Sequence, residues 1–168
     1  MTGVQTCALP IFRALTIDDF LTRALPFLLR DGVISGTPTE VEVIRSALPL
    51  IQERISRLKE VVPMLSFLFG DDVQYEEGAL ASLREDPSRH VLEATLKEVE
   101  ALENWSHTEI EERLRAALIE GLGLKPRLAF GPVRTAVTGS HISPPLFESM
   151  ELLGKQRCIA RLRKAING

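Results

Sequence analysis

The sequence predicts an all-α fold, and three observations carry that prediction. Helix-start motifs recur along the chain, each with a side chain suited to cap the first backbone N–H groups. Apolar residues recur at helical spacing in the long run that follows residue 40. Strand evidence is confined to one short β-branched cluster, residues 134–138, which has no second strand to pair with and is interpreted as helical or irregular.

The first two helices are predicted from their capping residues. Thr16 opens the first, and Asp18 and Asp19 in its first turn place negative charge at the positive end of the helix dipole. The segment Thr37–Glu40 is a capping box with proline at the first helical position, and it begins the long apolar-periodic run. Pro49 and Pro63 are expected to kink or break that run. The predicted succession is helices over 38–48, 49–61 and 63–69.

The same signals predict the later helices. Prolines at 87 and 144 mark two of the starts, the segment Ser106–Glu109 is a second capping box, and glycine marks two of the ends. These helices are expected to run from Pro87 to about Glu103, from His107 to Gly121 or Gly123, and from Pro144 to Leu153.

The best candidate for a boundary is the polar turn that begins at Gly70. We therefore predict a first helical subdomain over residues 12–72 and a second over residues 73–168. Residues 1–11 (MTGVQTCALPI) show neither helical nor strand periodicity and resemble the in-frame translation of a sequencing-library adapter. We expect them to be an unstructured artefact, with the natural chain beginning further upstream.

Composition narrows the class of protein. The chain has 168 residues, of which 45% are hydrophobic and 26% charged, which favours a folded domain, and it holds no apolar run long enough for a membrane span. Cys7 and Cys158 lie at opposite ends and form neither a disulfide framework nor a metal motif, and the three histidines are widely separated. A reducing cytoplasm is the expected setting. The sequence offers no catalytic residues, no metal ligands and no phosphate-binding loop.

Positive charge is concentrated in the C-terminal quarter. From residue 121 to residue 168 there are eight basic and two acidic side chains, a net charge of +6. The rest of the chain therefore has a net charge of −9, which gives the total of −3. Such a chain is not a general nucleic-acid coat, because its bulk repels phosphate, but its C-terminal quarter could hold one RNA element.

Several separated motifs resemble one family. The segments GPVRTAVTG at 131–139, SPPLFES at 143–149 and LLGK at 152–155 are similar to the C-terminal anticodon-binding region of bacterial glutamyl-tRNA synthetase. The segments at 48–69 and 101–118 also fit, in the same order and spacing. The resemblance extends from Arg13 to Ile166.

That resemblance implies roles for individual residues. Arg54, expected on the long helix, would read the third anticodon base, and Arg134 would read the middle base. Ser143, Pro144 and Leu146 would enclose the first base. Two lysines, Lys125 and Lys155, would contact phosphates without reading sequence.

The resemblance also implies what lies elsewhere. The catalytic domain that uses ATP and Mg²⁺ is absent from this chain, so the chain is expected to bind tRNA(Glu) without aminoacylating it. We expect it to need no cofactor, to be a monomer, and to bind neither DNA nor membranes. A helical protein-interaction module with no RNA role is the alternative, and salt dependence separates the two. Discrimination between glutamate and glutamine tRNA, and the effect of His141 and Ile142 on the first base, do not follow from the residues.

Overall fold

The computed structural model describes residues 12–70 and 72–167. All regular secondary structure in these two ranges is helical, so the predicted all-α class is confirmed. The chain divides into two compact units, Met1–Gly70 and Asp71–Gly168. The exact subdomain boundary at residues 72 and 73 stays a prediction, and the artefact predicted at residues 1–11 lies outside the described residues.

Between residues 14 and 70, the first unit contains three α-helices. They are α1 (Ile17–Arg30), α2 (Pro38–Ile51) and α3 (Val61–Leu65), with 3-10 turns at Leu58–Glu60 and Ser66–Leu68. The predicted caps are confirmed, since the Thr16 side chain accepts from the Asp19 N–H and the Thr37–Glu40 capping box is complete. The largest fully buried apolar side chains in the core of this unit are Phe20, Leu28, Ile44, Leu48, Ile51, Ile55 and Leu65.

The predicted succession of helices after residue 48 is wrong. Helix α2 passes through Pro49, which lies on the exposed face, where water can satisfy the carbonyl that loses its donor. It ends at Ile51, and the next residues form a turn. Helical hydrogen bonding does not continue directly beyond residue 55, and Glu60 supplies the reason: its carboxylate accepts from the Ser56 N–H at 2.8 Å and from the Ser56 hydroxyl at 3.1 Å. This N–H is therefore taken by a side chain, which competes with continuation of the helix.

The second unit contains the remaining helices. They are α4 (Ala79–Arg84), α5 (Ser88–Ala101), α6 (His107–Leu114) with a π-helical continuation at Arg115–Gly121, α7 (Pro126–Thr138), α8 (Leu146–Leu153) and α9 (Lys155–Asn167). The β-branched cluster at 134–138 lies inside α7, as expected. The helix predicted from Pro144 begins two residues later, at Leu146. The capping box predicted at Ser106–Glu109 is only half formed: the Ser106 hydroxyl accepts from the Glu109 N–H at 3.3 Å, but the Glu109 carboxylate accepts from Asn104 instead of the Ser106 backbone.

Helix α7 contains a glycine and a proline in its interior, Gly131 and Pro132. A glycine in a helix interior is roughly 0.5–1 kcal/mol less favourable than alanine because it loses more backbone freedom on folding. The stability of α7 must therefore come from packing, and its buried residues Ala129, Val133 and Ala136 supply that.

The carboxylate of Glu60 should make the stability of the chain sensitive to acid. Hydrogen bonds from the Ser56 backbone, and then from its hydroxyl, hold the pKa of Glu60 below its usual value, despite the opposing effect of burial. A depressed pKa means that this stabilisation is present above the unfolded-state pKa and is lost as pH falls through the folded-state value. We expect Glu60→Gln to lower the melting temperature at pH 7 and to flatten its fall between pH 5 and pH 3.

Thermal melts of both proteins across that pH range check this expectation. Glu53→Gln, seven residues earlier and on an exposed side chain, is the matched control. Parallel pH curves for wild type and Glu60→Gln would contradict the assignment of acid sensitivity to this carboxylate.

Candidate nucleic-acid interface

Arg134 is held by the segment that joins α7 to α8. It lies one turn before the end of α7 and is half-buried. Its Nη1 donates to the Ser143 Oγ at 2.6 Å and to the Pro144 carbonyl oxygen at 2.8 Å. The structure thus brings together three residues that the sequence singled out, and it shows that two of them fix the guanidinium of the third.

The other residues of the segment that joins α7 to α8, residues 139–145, are also held by hydrogen bonds, and we call this stretch the pinned segment. The Ser140 hydroxyl is hydrogen-bonded to Glu76 and accepts from the Ile142 N–H at 3.1 Å. The Thr135 hydroxyl pairs with the His141 Nδ1 at 3.1 Å. Ile142 nevertheless keeps 72% of its surface exposed. The segment therefore presents an apolar side chain to solvent from a fixed backbone.

Two side chains from other parts of the unit cap the end of α7. The Tyr75 hydroxyl donates to the Ala136 carbonyl at 3.0 Å, and Arg161 Nη1 donates to the Val137 carbonyl at 2.6 Å. A cation at a helix C-terminus also complements the negative end of the dipole. Burial raises the pKa of Tyr75 to about 12, and burial, followed by the neighbouring charge of Arg157, lowers the pKa of Arg161. Sequence reasoning missed both supports, because nothing in their local sequence marks them as buried caps.

The residues expected to enclose the first base are buried. Ser143 is 5% exposed and Leu146 is 4% exposed, and Pro144 is buried as well. Leu146 begins α8, so it lies in the wall of the segment that holds Arg134. Their role in base contact stays a prediction, and the structure gives them a packing role beside it.

The two lysines expected to contact phosphate lie in different environments. Lys125 is exposed at the N-cap of α7. Lys155, at the start of α9, donates from Nζ to the Glu100 carbonyl at 3.0 Å and also to the Leu102 carbonyl. It therefore caps the C-terminal end of α5, so a phosphate would compete with these carbonyls for its ammonium group.

Arg54 belongs to the first unit and lies in the turn after α2, so its expected placement on the helix is wrong. Its side chain is exposed, and its N–H donates to the Ile51 carbonyl at 2.8 Å. Ile55 is fully buried and Ser56 is bonded to Glu60, so the residues that follow Arg54 are anchored. The turn that carries Arg54 is therefore held in place by its neighbours, and its arginine side chain extends into solvent.

The remaining chemistry-bearing side chains have structural partners. Burial raises the pKa of Cys158 to about 12, so its thiol stays protonated at neutral pH. Trp105 donates from Nε1 to the Met150 carbonyl at 3.0 Å and serves as a packing anchor. In the described ranges, no group of three or more His, Cys, Asp or Glu side chains is arranged to hold a metal ion. None of the helices described is long and apolar enough to span a bilayer.

Comparison with known proteins places these features in a family. Residues 19–166 match the family model described as an anticodon binding domain. Glutamate–tRNA ligase of Saccharopolyspora erythraea is 47% identical over 154 residues, covering 90% of this chain and 31% of that ligase. The ligase of a Nocardioides species is 46% identical over 158 residues, covering 92% of this chain and 32% of that protein. The chain thus spans about a third of the length of these curated relatives.

Solved structures show the same fold. A glutamate tRNA ligase from Elizabethkingia meningosepticum, crystallised in complex with its amino acid, superposes with a TM-score of 0.74 at 18% identity, covering 94% of this chain and 30% of that one. Glutamate-tRNA synthetase from Elizabethkingia anophelis gives 0.72 at 20% identity, covering 96% of this chain and 30% of that one. With a family model that matches residues 19–166, this chain belongs to the anticodon-binding domain family.

Proposed function

We propose that this chain recognises the anticodon of tRNA(Glu) as part of a glutamate–tRNA ligase. The single observation that carries the proposal is the fixed guanidinium of Arg134, which two hydrogen bonds hold beside a pinned segment of the second unit. Proteins read unpaired RNA bases with arginine planes, hydroxyl groups and apolar ledges, all of which this segment contains.

The proposed roles of the individual residues follow the family resemblance. Arg54 reads the third anticodon base, and Arg134 reads the middle base. Ser143, Pro144 and Leu146 form the wall against the first base. The two lysines, Lys125 and Lys155, bind phosphates.

The proposed reaction belongs to the whole ligase. ATP and Mg²⁺ act in a catalytic domain outside this chain, where glutamate is activated and passed to the tRNA. Anticodon binding contributes by positioning, because docking one end of the tRNA places the other for reaction. We propose that the protein works in the cytoplasm as a monomer, without DNA.

Salt dependence of tRNA binding tests the proposal. Fluorescence anisotropy with labelled tRNA(Glu) between 50 and 200 mM salt should give a log–log slope of roughly −2 or steeper, as about three neutralised phosphates require. A tRNA(Glu) with a scrambled anticodon is the matched control and should bind more weakly at every salt concentration. Equal binding of both RNAs would contradict anticodon recognition, and no binding of either RNA would favour the helical protein-interaction module.

Arg54→Gln should relax the preference for the third base. A bidentate arginine contact with a base edge discriminates by about 1–3 kcal/mol, and glutamine keeps hydrogen bonding but loses the charge and the fork. We expect the ratio of affinities for the cognate base and a third-base variant to fall by about 5-fold, with a smaller loss of total affinity. Arg57→Gln, on an exposed side chain three residues further along, is the control and should leave the ratio unchanged. Equal weakening for every third base would show that Arg54 does not read it.

A further inference from the structure

Gly131 lies at a half-buried position of α7, and the space around it gives no reason for it to be glycine. A Cβ built on this residue would have nothing within 4 Å, apart from the adjacent residues and the backbone of its own helix turn. Its φ lies outside the positive range, so the backbone conformation suits any residue. Glycine weakens a helix interior, yet at this position neither space nor backbone geometry requires it.

The following proline does not explain the glycine either. A Cβ before proline is disfavoured in a helix because it crowds the proline ring. The same chain nevertheless places side chains before helical prolines three times, at Leu25 in α1, Leu48 in α2 and Val62 in α3. The pre-proline clash is therefore tolerated in this protein, even with a β-branched residue.

The neighbours of Gly131 on the helix surface have the chemistry of an RNA site. Residues three or four positions apart lie side by side on a helix, so Arg127 and Arg134 flank Gly131 on successive turns. Arg127 is exposed, and Arg134 is the fixed arginine of the candidate interface. Thr135, four residues after Gly131, is buried, and its hydroxyl holds the helix to the joining segment by bonding to the Gly131 carbonyl at 3.2 Å and to His141. Gly131 thus forms a gap between two cations, at the edge of the pinned segment.

We propose that the sugar–phosphate backbone of the bound RNA crosses α7 at Gly131, between Arg127 and Arg134. The missing Cβ lets the strand approach the helix closely, which is a recognised use of glycine at ligand sites. The inference rests on the proposed function, since it assigns the path of the same RNA. It adds Gly131 to the proposed interface, as a residue whose lack of a side chain allows the RNA strand to contact the helix.

Gly131→Ala separates this role from a structural one, because the two predict changes in different measurements. Alanine favours the helix, so the melting temperature should stay the same or rise by about 1–3 °C. The affinity for tRNA(Glu) should fall at least about 3-fold with alanine and about 10-fold with Gly131→Leu, as side-chain bulk displaces the strand. Unchanged affinity in both variants would overturn the proposal, as would a loss of affinity accompanied by a lower melting temperature.

Two further variants make the result specific. Ala81→Leu adds a similar bulk to an exposed helical position of the same unit and should leave affinity unchanged; an equal loss there would overturn the proposal. Arg134→Ala tests the proposed function itself. If Arg134→Ala weakens binding and the Gly131 variants do not, the path across α7 is wrong and anticodon recognition stands. If wild type fails to bind tRNA(Glu), both proposals fail.

Discussion

Gly139→Ala should lower the melting temperature of the chain by about 10 °C or more. Gly139 ends α7 with a φ of +82°, and a Cβ there would lie 2.0 Å from the Gln74 carbonyl oxygen and 2.9 Å from the Val73 side chain. The left-handed conformation costs alanine about 1–2 kcal/mol, and overpacking against the backbone adds about 1–3 kcal/mol. Relief of the clash would also break the bond from the Glu76 N–H to the Gly139 carbonyl, now 3.1 Å.

Gly78→Ala is the matched control for this prediction. Gly78 has nearly the same backbone conformation, with φ +75° and ψ −12° against φ +82° and ψ −8° at Gly139, but a Cβ there would have nothing within 4 Å. The control carries the conformational cost without the clash, so the difference between the two variants measures the close approach of the Gln74 backbone. Similar melting temperatures for the two variants would show that residues 73 and 74 move aside at little cost.

Helix starts were predictable because they are set by residues a few positions apart. Thr16 accepts from Asp19, and Thr37 exchanges bonds with Glu40, so each start depends on a four-residue motif that the sequence displays. The apolar run that follows residue 40 likewise contains Ile44 and Leu48, which are fully buried in α2. Local signals of this kind need no knowledge of the rest of the fold.

The end of α2, and the side chains that hold the end of α7 beside the candidate site, were not predictable in the same way. Helix α2 ends at Ile51 and does not resume beyond the turn that holds Arg54, where Glu60 takes the Ser56 N–H, so proline positions alone gave the wrong boundary. Arg161 and Tyr75 cap α7 from 24 and 61 residues away in sequence, respectively. In the sequence, Arg161 is only one of eight basic residues in the C-terminal quarter. The burial of a charged side chain depends on tertiary contacts that no local sequence pattern contains.

The candidate site shows the same division. The order of motifs was enough to single out Arg134, Ser143 and Pro144 together, but their mutual hydrogen bonds appear only in the structure. Lys155 was proposed as a phosphate contact because of its charge. Its bonds to the Glu100 and Leu102 carbonyls show that it also caps the C-terminal end of α5. Charge counts predict which region meets RNA and leave open which cations already have partners.

Arg134→Ala should weaken binding of tRNA(Glu) by about 10-fold to 150-fold, which corresponds to the 1–3 kcal/mol of a bidentate base contact. The substitution also leaves the Ser143 hydroxyl and the Pro144 carbonyl without the Nη1 donor, so the pinned segment should loosen. Arg134→Lys separates the two effects, because it keeps the charge and can satisfy one acceptor but loses the planar fork. We expect the lysine variant to recover the melting temperature more fully than it recovers affinity for the middle base.

Lys164→Ala is the matched control for charge. It removes one positive charge from the same unit, and Lys164 lies in an ion pair with Asp72 whose side chains are 39% and 60% exposed. Pairs so exposed contribute little to stability, and a single non-specific phosphate contact changes affinity by only a few-fold. Gel shifts with tRNA(Glu) and with a middle-base variant should therefore separate Arg134→Ala from Lys164→Ala. A greater loss in the Lys164 variant would place the RNA on α9 instead of the end of α7, because charge on that helix would then outweigh the fixed guanidinium.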